Sequence, residues 1–190
     1  LIFSCKAEDA NILTPTPTVE MPSTVTPPTT NPPSGNEQYL NEKSSYIFDQ
    51  KKLPTFELTL PVSDLAKIDA DPPAEEYVEG SLTFEGETLN RVGIRYKGSI
   101  GAFVGCLSGA DWANPSGRKT CTKLSMKIKI NWEDPDAKFY GLKKLQFHSQ
   151  NNDDSQMRER LGYWFFRKME VPAPKAIHAR LIVNGQYMGL

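Results

Sequence analysis

Residues 143–190 read KKLQFHSQNNDDSQMRERLGYWFFRKMEVPAPKAIHARLIVNGQYMGL, and we expect the rest of the chain to be arranged around this stretch. It opens with a short apolar run, residues 145–147, that predicts a strand. Asp153 then stands three residues before Gln156, which is the spacing of a capping box at the start of a helix. We therefore predict that the main helix of the protein spans residues 154–169.

The predicted helix is apolar on two sides. At 100° per residue, one face carries Met157, Leu161, Trp164 and Phe165. The opposite side carries Glu159, Tyr163 and Phe166. We expect other elements to cover both sides, with the first face buried in the core.

A hairpin follows the predicted helix. Pro172 and Pro174 end the helix, because proline cannot continue one and restricts its predecessor to extended geometry. Residues 176–183 predict a strand, and Asn184-Gly185 favours a type I′ turn, which needs positive φ at two positions. Residues 187–190 then begin the return strand.

The segment before residue 143 is predicted to be mostly β-structure. The patterns indicate a strand at 56–60, a helix at 63–70, a hairpin of 77–84 with 89–97, a long loop over 98–120 and a strand at 123–130. Together with the later elements they predict an α+β fold. Its antiparallel or mixed sheet is expected to pack on the 154–169 helix.

The N-terminal residues differ in composition from the rest. Residues 1–5 read LIFSC, similar to the end of a signal peptide with a lipobox, in which Cys5 would be lipidated; the alternative is an ordinary cysteine. Residues 6–45 form a Thr/Pro-rich linker that cannot bury apolar surface and is expected to be disordered. Residues 46–190 are predicted to form the single folded domain.

Charge and cysteine content narrow the partners and the compartment. The formal net charge of −1 argues against nucleic acid as a partner, since binding phosphate backbones requires an excess of cations. A lipid anchor at Cys5 would place the domain at a membrane, outside the cytoplasm. There Cys106 and Cys121 could form a disulfide; two reduced thiols in a loop are the alternative.

Two predicted strands alternate cationic and apolar side chains. Arg95 and Lys97 belong to the first of these strands, and Lys127 and Lys129 belong to the second. If the strands share a sheet, their cations form a basic stripe that could hold phosphates, or that only keeps an exposed sheet face soluble. Glu159, on the aromatic helix face, needs a cationic partner if it is desolvated, and Lys127 is the first candidate.

No metal site is predicted. His148 and His178 have no cysteine or carboxylate at metal-ligand spacing, so we interpret both as structural residues.

Several of these motifs resemble the CotH family of spore-coat and cell-surface proteins, which are atypical kinase-like enzymes. The resemblance is carried by D-x-S-x-M-R-E, VPAP and NG-x-Y-x-GL in the C-terminal stretch. Upstream it continues, in the same order, through RYKGS at 95–99, K-x-S-x-K-I-K-I at 123–130 and F-x-G-x-K-K-L at 139–145. It covers residues 56–190.

The resemblance implies the N-terminal lobe of a CotH-like kinase that uses ATP and Mg²⁺ to phosphorylate surface or spore-coat proteins. It implies a nucleotide-binding role for Lys97, Lys127, Lys129 and Glu159, by analogy with the strand lysine and helix glutamate of kinases. In the family the catalytic aspartates follow the NG-x-Y-x-GL hairpin, so none is expected within these residues. The alternative is a non-catalytic surface lipoprotein module for adhesion or polysaccharide-associated assembly.

Overall fold

The computed structural model describes residues 2–3, 42–98, 102–103, 105–109, 111 and 113–189. Its helices are α1 (Glu42–Ile47), α2 (Val62–Ala70) and α3 (Arg158–Lys168), with a 3-10 helix at Pro72–Ala74. Its strands are β1 (Ile2–Phe3), β2 (Thr55–Thr59), β3 (Val78–Phe84), β4 (Glu87–Tyr96), β5 (Met126–Lys129), β6 (Lys144–Phe147), β7 (Ala176–Ile177), β8 (Arg180–Val183) and β9 (Gln186–Gly189).

The strands form a mixed sheet in the order β7-β1-β6-β5-β4-β3-β2-β8-β9. Every neighbouring pair is antiparallel except β2 and β8, which run parallel. The β3–β4 hairpin turns through Glu85 and Gly86, both at positive φ. Antiparallel pairing of the alternating segments β4 and β5 follows from their period of two. The prediction of an α+β fold with a mixed sheet is therefore confirmed.

One face of the sheet carries the hydrophobic core. Ile94, Ile128 and Leu145 lie side by side on β4, β5 and β6 and are fully buried. The same cluster includes Ile47 and Phe48 at the end of α1, Ile68 of α2, and the aromatic residues Phe56, Phe84, Tyr96, Phe139 and Phe147. Fully burying one such side chain contributes roughly 1.5–3 kcal/mol, so this face dominates the stability of the domain.

Gly80 allows β3 to approach its neighbours closely. A Cβ atom at this position would lie 2.7 Å from the carbonyl oxygen of Thr59 and 2.6 Å from Ile94 Cδ1. The β3–β4 register shifts between Gly80 and Leu82, which is the position where a bulge needs a residue without a side chain.

The expected packing of the main helix is wrong. Helix α3 begins at Arg158 rather than at residue 154, and no residue in it is buried. Leu161, Trp164 and Phe165 are 52%, 51% and 56% exposed, and Met157 is only partly buried. The sheet turns its polar side toward α3 and buries its apolar side against α1 and α2. Helical periodicity identified the apolar face correctly but cannot tell which face is covered.

Smaller differences concern the ends of elements. The predicted strand 176–183 is two strands, β7 and β8, and the predicted strand 123–130 is limited to Met126–Lys129. Helix α1 crosses the boundary expected at residue 45 between the linker and the folded domain. Residues 2–3, expected to belong to a signal peptide, form a strand between β6 and β7.

Candidate functional site

The second face of the sheet carries a cluster of cations. Arg95, Lys127 and Gln146 are direct neighbours across β4, β5 and β6. Directly paired residues share a face, so the next row, Gly93, Lys129 and Lys144, lies on the same side. Lys97 extends this side by one row, because its backbone nitrogen donates to Ser125 O at 2.9 Å. We call Arg95, Lys97, Lys127, Lys129 and Lys144 the basic face.

Two cations of the basic face are held by neighbouring side chains. Arg95 forms an ion pair with Glu75, and its guanidinium carbon lies 5.2 Å from the centre of the Tyr77 ring. Lys129 Nζ lies 5.4 Å from the Trp132 ring and 6.0 Å from the Tyr77 ring. These are cation–π distances, so both charges are oriented toward the aromatic edge of the face.

Lys127 and Lys144 are oriented by no such contact. Neither ammonium forms an ion pair or a cation–π contact with another described residue. Lys127 is partly buried and lies one row from Lys97. Its charge remains available to an anion that approaches the sheet.

Lys97, His148 and Glu159 form a hydrogen-bonded relay. Lys97 Nζ lies 3.1 Å from His148 Nε2. His148 Nδ1 lies 2.9 Å from Glu159 Oε1. An ammonium group only donates and a carboxylate only accepts, so the imidazole accepts at Nε2 and donates from Nδ1. This neutral tautomer joins the strand cation to the helix anion.

The environment of Glu159 favours its charged form. Burial opposes the charge and raises the pKa of Glu159, but His148, the Gln150 amide and the nearby charge of Lys97 together lower the pKa below its usual value. The Gln150 amide also favours the charged form of Glu159, but without a well-formed hydrogen bond. Its nitrogen and Glu159 Oε2 are both buried, and neither makes a well-formed hydrogen bond to a described group. Oε2 is thus an acceptor with spare capacity.

The partner expected for Glu159 was wrong in its detail. Lys127 was the first candidate, whereas the structure joins Glu159 to His148 and, through it, to Lys97. The reason is geometric: α3 crosses the polar face near the end of β6, beside the Lys97 row. Lys129 lies two rows away.

Polar contacts hold α3 in place over this face. Arg160 Nε donates to Gln50 Oε1 at 3.1 Å, and its Nη1 lies 2.9 Å from His178 Nδ1. His178 Nε2 lies 2.7 Å from the Gln156 carbonyl oxygen, so Nε2 carries the proton and Nδ1 accepts from Arg160. The expectation that His178 is structural fits this arrangement, while His148 belongs to the site.

Asp153 orders the chain that leads into α3. Its Oδ1 accepts from the Ser155 hydroxyl at 2.6 Å and the Ser155 backbone at 3.1 Å, and its Oδ2 accepts from the Arg158 backbone at 2.9 Å. The hydrogen bond from Ser155 is the main reason that the pKa of Asp153 is lowered. The expected capping box is not formed: Met157 is the N-cap of α3 and makes no side-chain cap hydrogen bond, and Gln156 lies at positive φ before the helix. Asp153 instead holds the turn that precedes α3.

The site is open rather than enclosed. A small pocket beside His148 has a volume of about 20 Å³ and is lined by Lys123, Leu124, Phe147, Ser149, Ala179, Leu181, Met188 and Gly189. That is space for about one water molecule. This pocket is too small for a ligand the size of a nucleotide.

The predicted cysteine roles fall in different parts of the chain. Cys106 and Cys121 are joined by a disulfide with a Cα–Cα distance of 4.7 Å. Cys5, the predicted lipidation site, lies outside the described residues.

Metal-binding and membrane-spanning features are absent from the described part of the chain. It contains no group of three or more histidine, cysteine or acidic side chains placed to hold a metal ion. Nor does any described helix combine the length and the apolar character needed to cross a membrane.

Reasoning from sequence interpreted His148 as a structural residue only and did not name Gln150. Neither residue belongs to a metal-ligand or nucleophile motif, and both follow β6 in a polar stretch that predicts a turn. One signal was present: continuing the alternation of β6 places His148 on the same face as Gln146, and hence on the basic face.

Comparison with known proteins identifies the family of this chain. A family model described as CotH kinase protein matches residues 94–190, which includes the whole relay. The inner spore coat protein H-like protein of Bacillus subtilis (strain 168) is 39% identical over 62 residues, which are 33% of this chain and 19% of that protein. The match thus spans about a fifth of that relative's length. Because the family model covers 97 of the 190 residues, the chain belongs to the CotH family.

Proposed function

We propose that this chain supplies the phosphate-holding part of a CotH-like protein kinase, which uses ATP to phosphorylate proteins of a spore coat or cell surface. The observation that carries the proposal is the Lys97–His148–Glu159 relay. Kinase-type sites orient nucleotide phosphates with a strand lysine that is held by a helix glutamate. Here a histidine stands between the two charged groups.

The cations of the basic face suit the phosphates of a nucleotide. Lys97 and Lys127 lie in adjacent rows, and Lys127 has no ionic partner among the described residues. Lys129 adds positive potential from the next row, although the Trp132 ring holds its ammonium. Bound ATP would supply the phosphoryl group. The described residues hold no acidic cluster for Mg²⁺, so we assign it no protein ligands in this part of the chain.

Within this proposal the relay orients the lysine ammonium. Glu159 accepts the imidazole proton at Oε1, which fixes the tautomer in which His148 Nε2 accepts from Lys97. The ammonium is then held by His148 on the polar side of the sheet, and its positive charge attracts phosphate oxygens. Removing Glu159 would free the imidazole to rotate or change tautomer, and Lys97 would lose its orientation.

The location is also proposed. The relative in Bacillus subtilis is named as an inner spore coat protein, which supports a spore coat or cell-surface location for this chain. A lipid anchor at Cys5, followed by the Thr/Pro-rich segment, would tether the domain near a membrane. Substrate proteins would then be surface or coat proteins.

The test is phosphoryl transfer by the protein that the complete gene encodes. With γ-labelled ATP and Mg²⁺, the wild type should label itself or a coat protein. Lys97→Ala and Glu159→Gln should each lose roughly a hundredfold in rate, the scale for removing one electrostatic stabiliser.

Lys67→Ala is the matched control, because it removes an exposed cation of α2 that does not belong to the basic face. It should keep its rate within about twofold, and all variants should unfold near the wild-type midpoint. A protein that neither binds ATP nor transfers phosphate would contradict the proposal and favour the non-catalytic surface module.

A further inference from the structure

Helix α3 has the opposite orientation to an ordinary surface helix: its polar side faces the sheet. Its polar residues Glu159 and Arg160 face the sheet, through His148 and through His178. Its large exposed apolar residues face solvent, and Tyr163 packs against a buried residue, Ala176. An amphipathic helix normally buries its apolar stripe. The exposed apolar stripe is therefore a candidate surface for contact with an apolar environment.

The exposed apolar side chains of the described chain are concentrated here. Six of the ten large hydrophobic residues that are exposed lie within residues 161–171: Leu161, Trp164, Phe165, Phe166, Met169 and Val171. We call these six the outer face of α3; Met169 and Val171 follow the last residue of the helix. Single exposed hydrophobic residues need no explanation, but a contiguous patch on a monomer marks an interaction site.

The chain around the outer face is basic. Residues 157–175 contain five basic residues, Arg158, Arg160, Arg167, Lys168 and Lys175, and the acidic residues Glu159 and Glu170. This segment carries a net charge of +3, whereas the whole chain carries −1. Trp, Phe and Leu with flanking Lys and Arg are the composition of helices that lie in the interface of an anionic membrane.

We propose that the outer face of α3 inserts into the headgroup region of an anionic lipid bilayer. The charge argues against a second copy of this chain as the occupant, because two such faces would bring their +3 segments together. The shape argues in the same direction, because a helix exposed over more than half of its circumference is convex and suits a deformable surface. The inference does not depend on phosphoryl transfer.

The test uses the non-lipidated 190-residue chain and vesicles, with intact mass confirming that no lipid is attached. The protein should sediment with vesicles that contain phosphatidylglycerol and not with phosphatidylcholine alone. The emission of Trp164 should shift to shorter wavelength on binding, and subtracting the spectrum of Trp164→Phe isolates that signal.

Variants separate the apolar and charged contributions. The double substitution Trp164→Ser with Phe165→Ser should weaken vesicle binding by about tenfold or more. Lys168→Gln should weaken it about fivefold, as expected for one cation near an anionic surface. Val62→Ser is the control, since Val62 is 78% exposed but lies on α2 outside the basic segment; it should change binding by less than about twofold.

Three results would overturn the proposal. The first is no sedimentation with anionic vesicles, and the second is equal binding by the wild type and the double variant. The third is Trp164 emission that is already blue-shifted without lipid, together with a dimer mass in light scattering, which would assign the outer face to a second copy.

Discussion

Asp153, His148 and His178 each position helix α3 through specific side-chain contacts. His148 carries its proton on Nδ1 and His178 carries its proton on Nε2, because their partners differ: a carboxylate for the first and a carbonyl oxygen for the second. Each histidine therefore fixes a different contact of α3. Identical residues serve the candidate site in one case and the scaffold in the other.

Asp153→Asn should destabilise the protein in a way that depends on pH. The folded state lowers the pKa of Asp153, so its contribution is complete above the unfolded value of about 3.9 and is lost as pH falls through the lower folded value. At pH 7 the variant should unfold at lower denaturant concentration than the wild type.

Urea unfolding at a series of pH values measures this difference. The gap between wild type and Asp153→Asn should close in strong acid, where both side chains are neutral. A gap that stays constant down to the acid limit would show that the carboxylate charge does not stabilise the start of α3.

At this scale the sequence predicted types of residue better than their partners. The acidic helix residue and the strand cations were predicted to come together, and they do so, but through His148. Spacing along one chain says nothing about a residue supplied by a third element. His148 enters the site only because β6 lies beside β5 in the sheet.

Among the elements, α3 departs most from expectation. Its apolar period was read correctly, yet the sheet offers it a polar surface, so its charged side carries the contacts. Strands β4 and β5 were predictable because the alternation of apolar and polar residues indicates both that the segment is a strand and which side chains share a face. For a helix with apolar residues on two sides, the sequence does not indicate which side packs against the sheet.

Substitutions in α3 and in the sheet should therefore differ in cost. Trp164→Ala should reduce the free energy of unfolding by less than about 1 kcal/mol, since the ring is half exposed. Leu145→Ala should cost about 2–5 kcal/mol, because Leu145 is fully buried in the core of β6. Chemical denaturation of the two variants measures both values.

A cost above about 2 kcal/mol for Trp164→Ala in a monomeric sample would contradict the exposed position of α3. Val62→Ser, on an exposed position of α2, gives the size of an ordinary surface effect in the same experiment.

The disulfide constrains the segment between β4 and β5. Cys106 and Cys121 are separated by 15 residues, and a loop of that length should gain about 3 kcal/mol from closure in the chain-entropy model. Oxidised protein should resist alkylation without reductant, and reduction should lower its stability by that order. Intact mass shows whether two thiols react; both reacting in oxidised material would contradict the bond.

The whole molecule is organised by pairings that are distant in sequence. β2 lies parallel to β8, although more than a hundred residues separate them, and this pairing closes the sheet toward β9. Local patterns predicted the hairpins and the class of fold. They could not predict this crossover or the side on which α3 lies, because both depend on contacts between remote segments.

For the whole molecule, the basic face and the relay support the proposed function, in which Lys97 and Glu159 would act as a unit, through His148, to orient a nucleotide. A relay that orients a nucleotide and a relay that is only structural differ in their effect on ATP affinity. A structural relay would change unfolding and leave ATP binding unaffected.

The direct test is a double-mutant cycle on ATP affinity, measured by calorimetry with Mg²⁺ on the protein encoded by the complete gene. His148→Ala should weaken binding about tenfold, or roughly 1.4 kcal/mol, and Glu159→Gln should do the same. Adding Glu159→Gln to His148→Ala should cost less than about twofold more, because the first change has already disconnected Lys97. Additive losses, or an affinity unchanged in either single variant, would contradict the account.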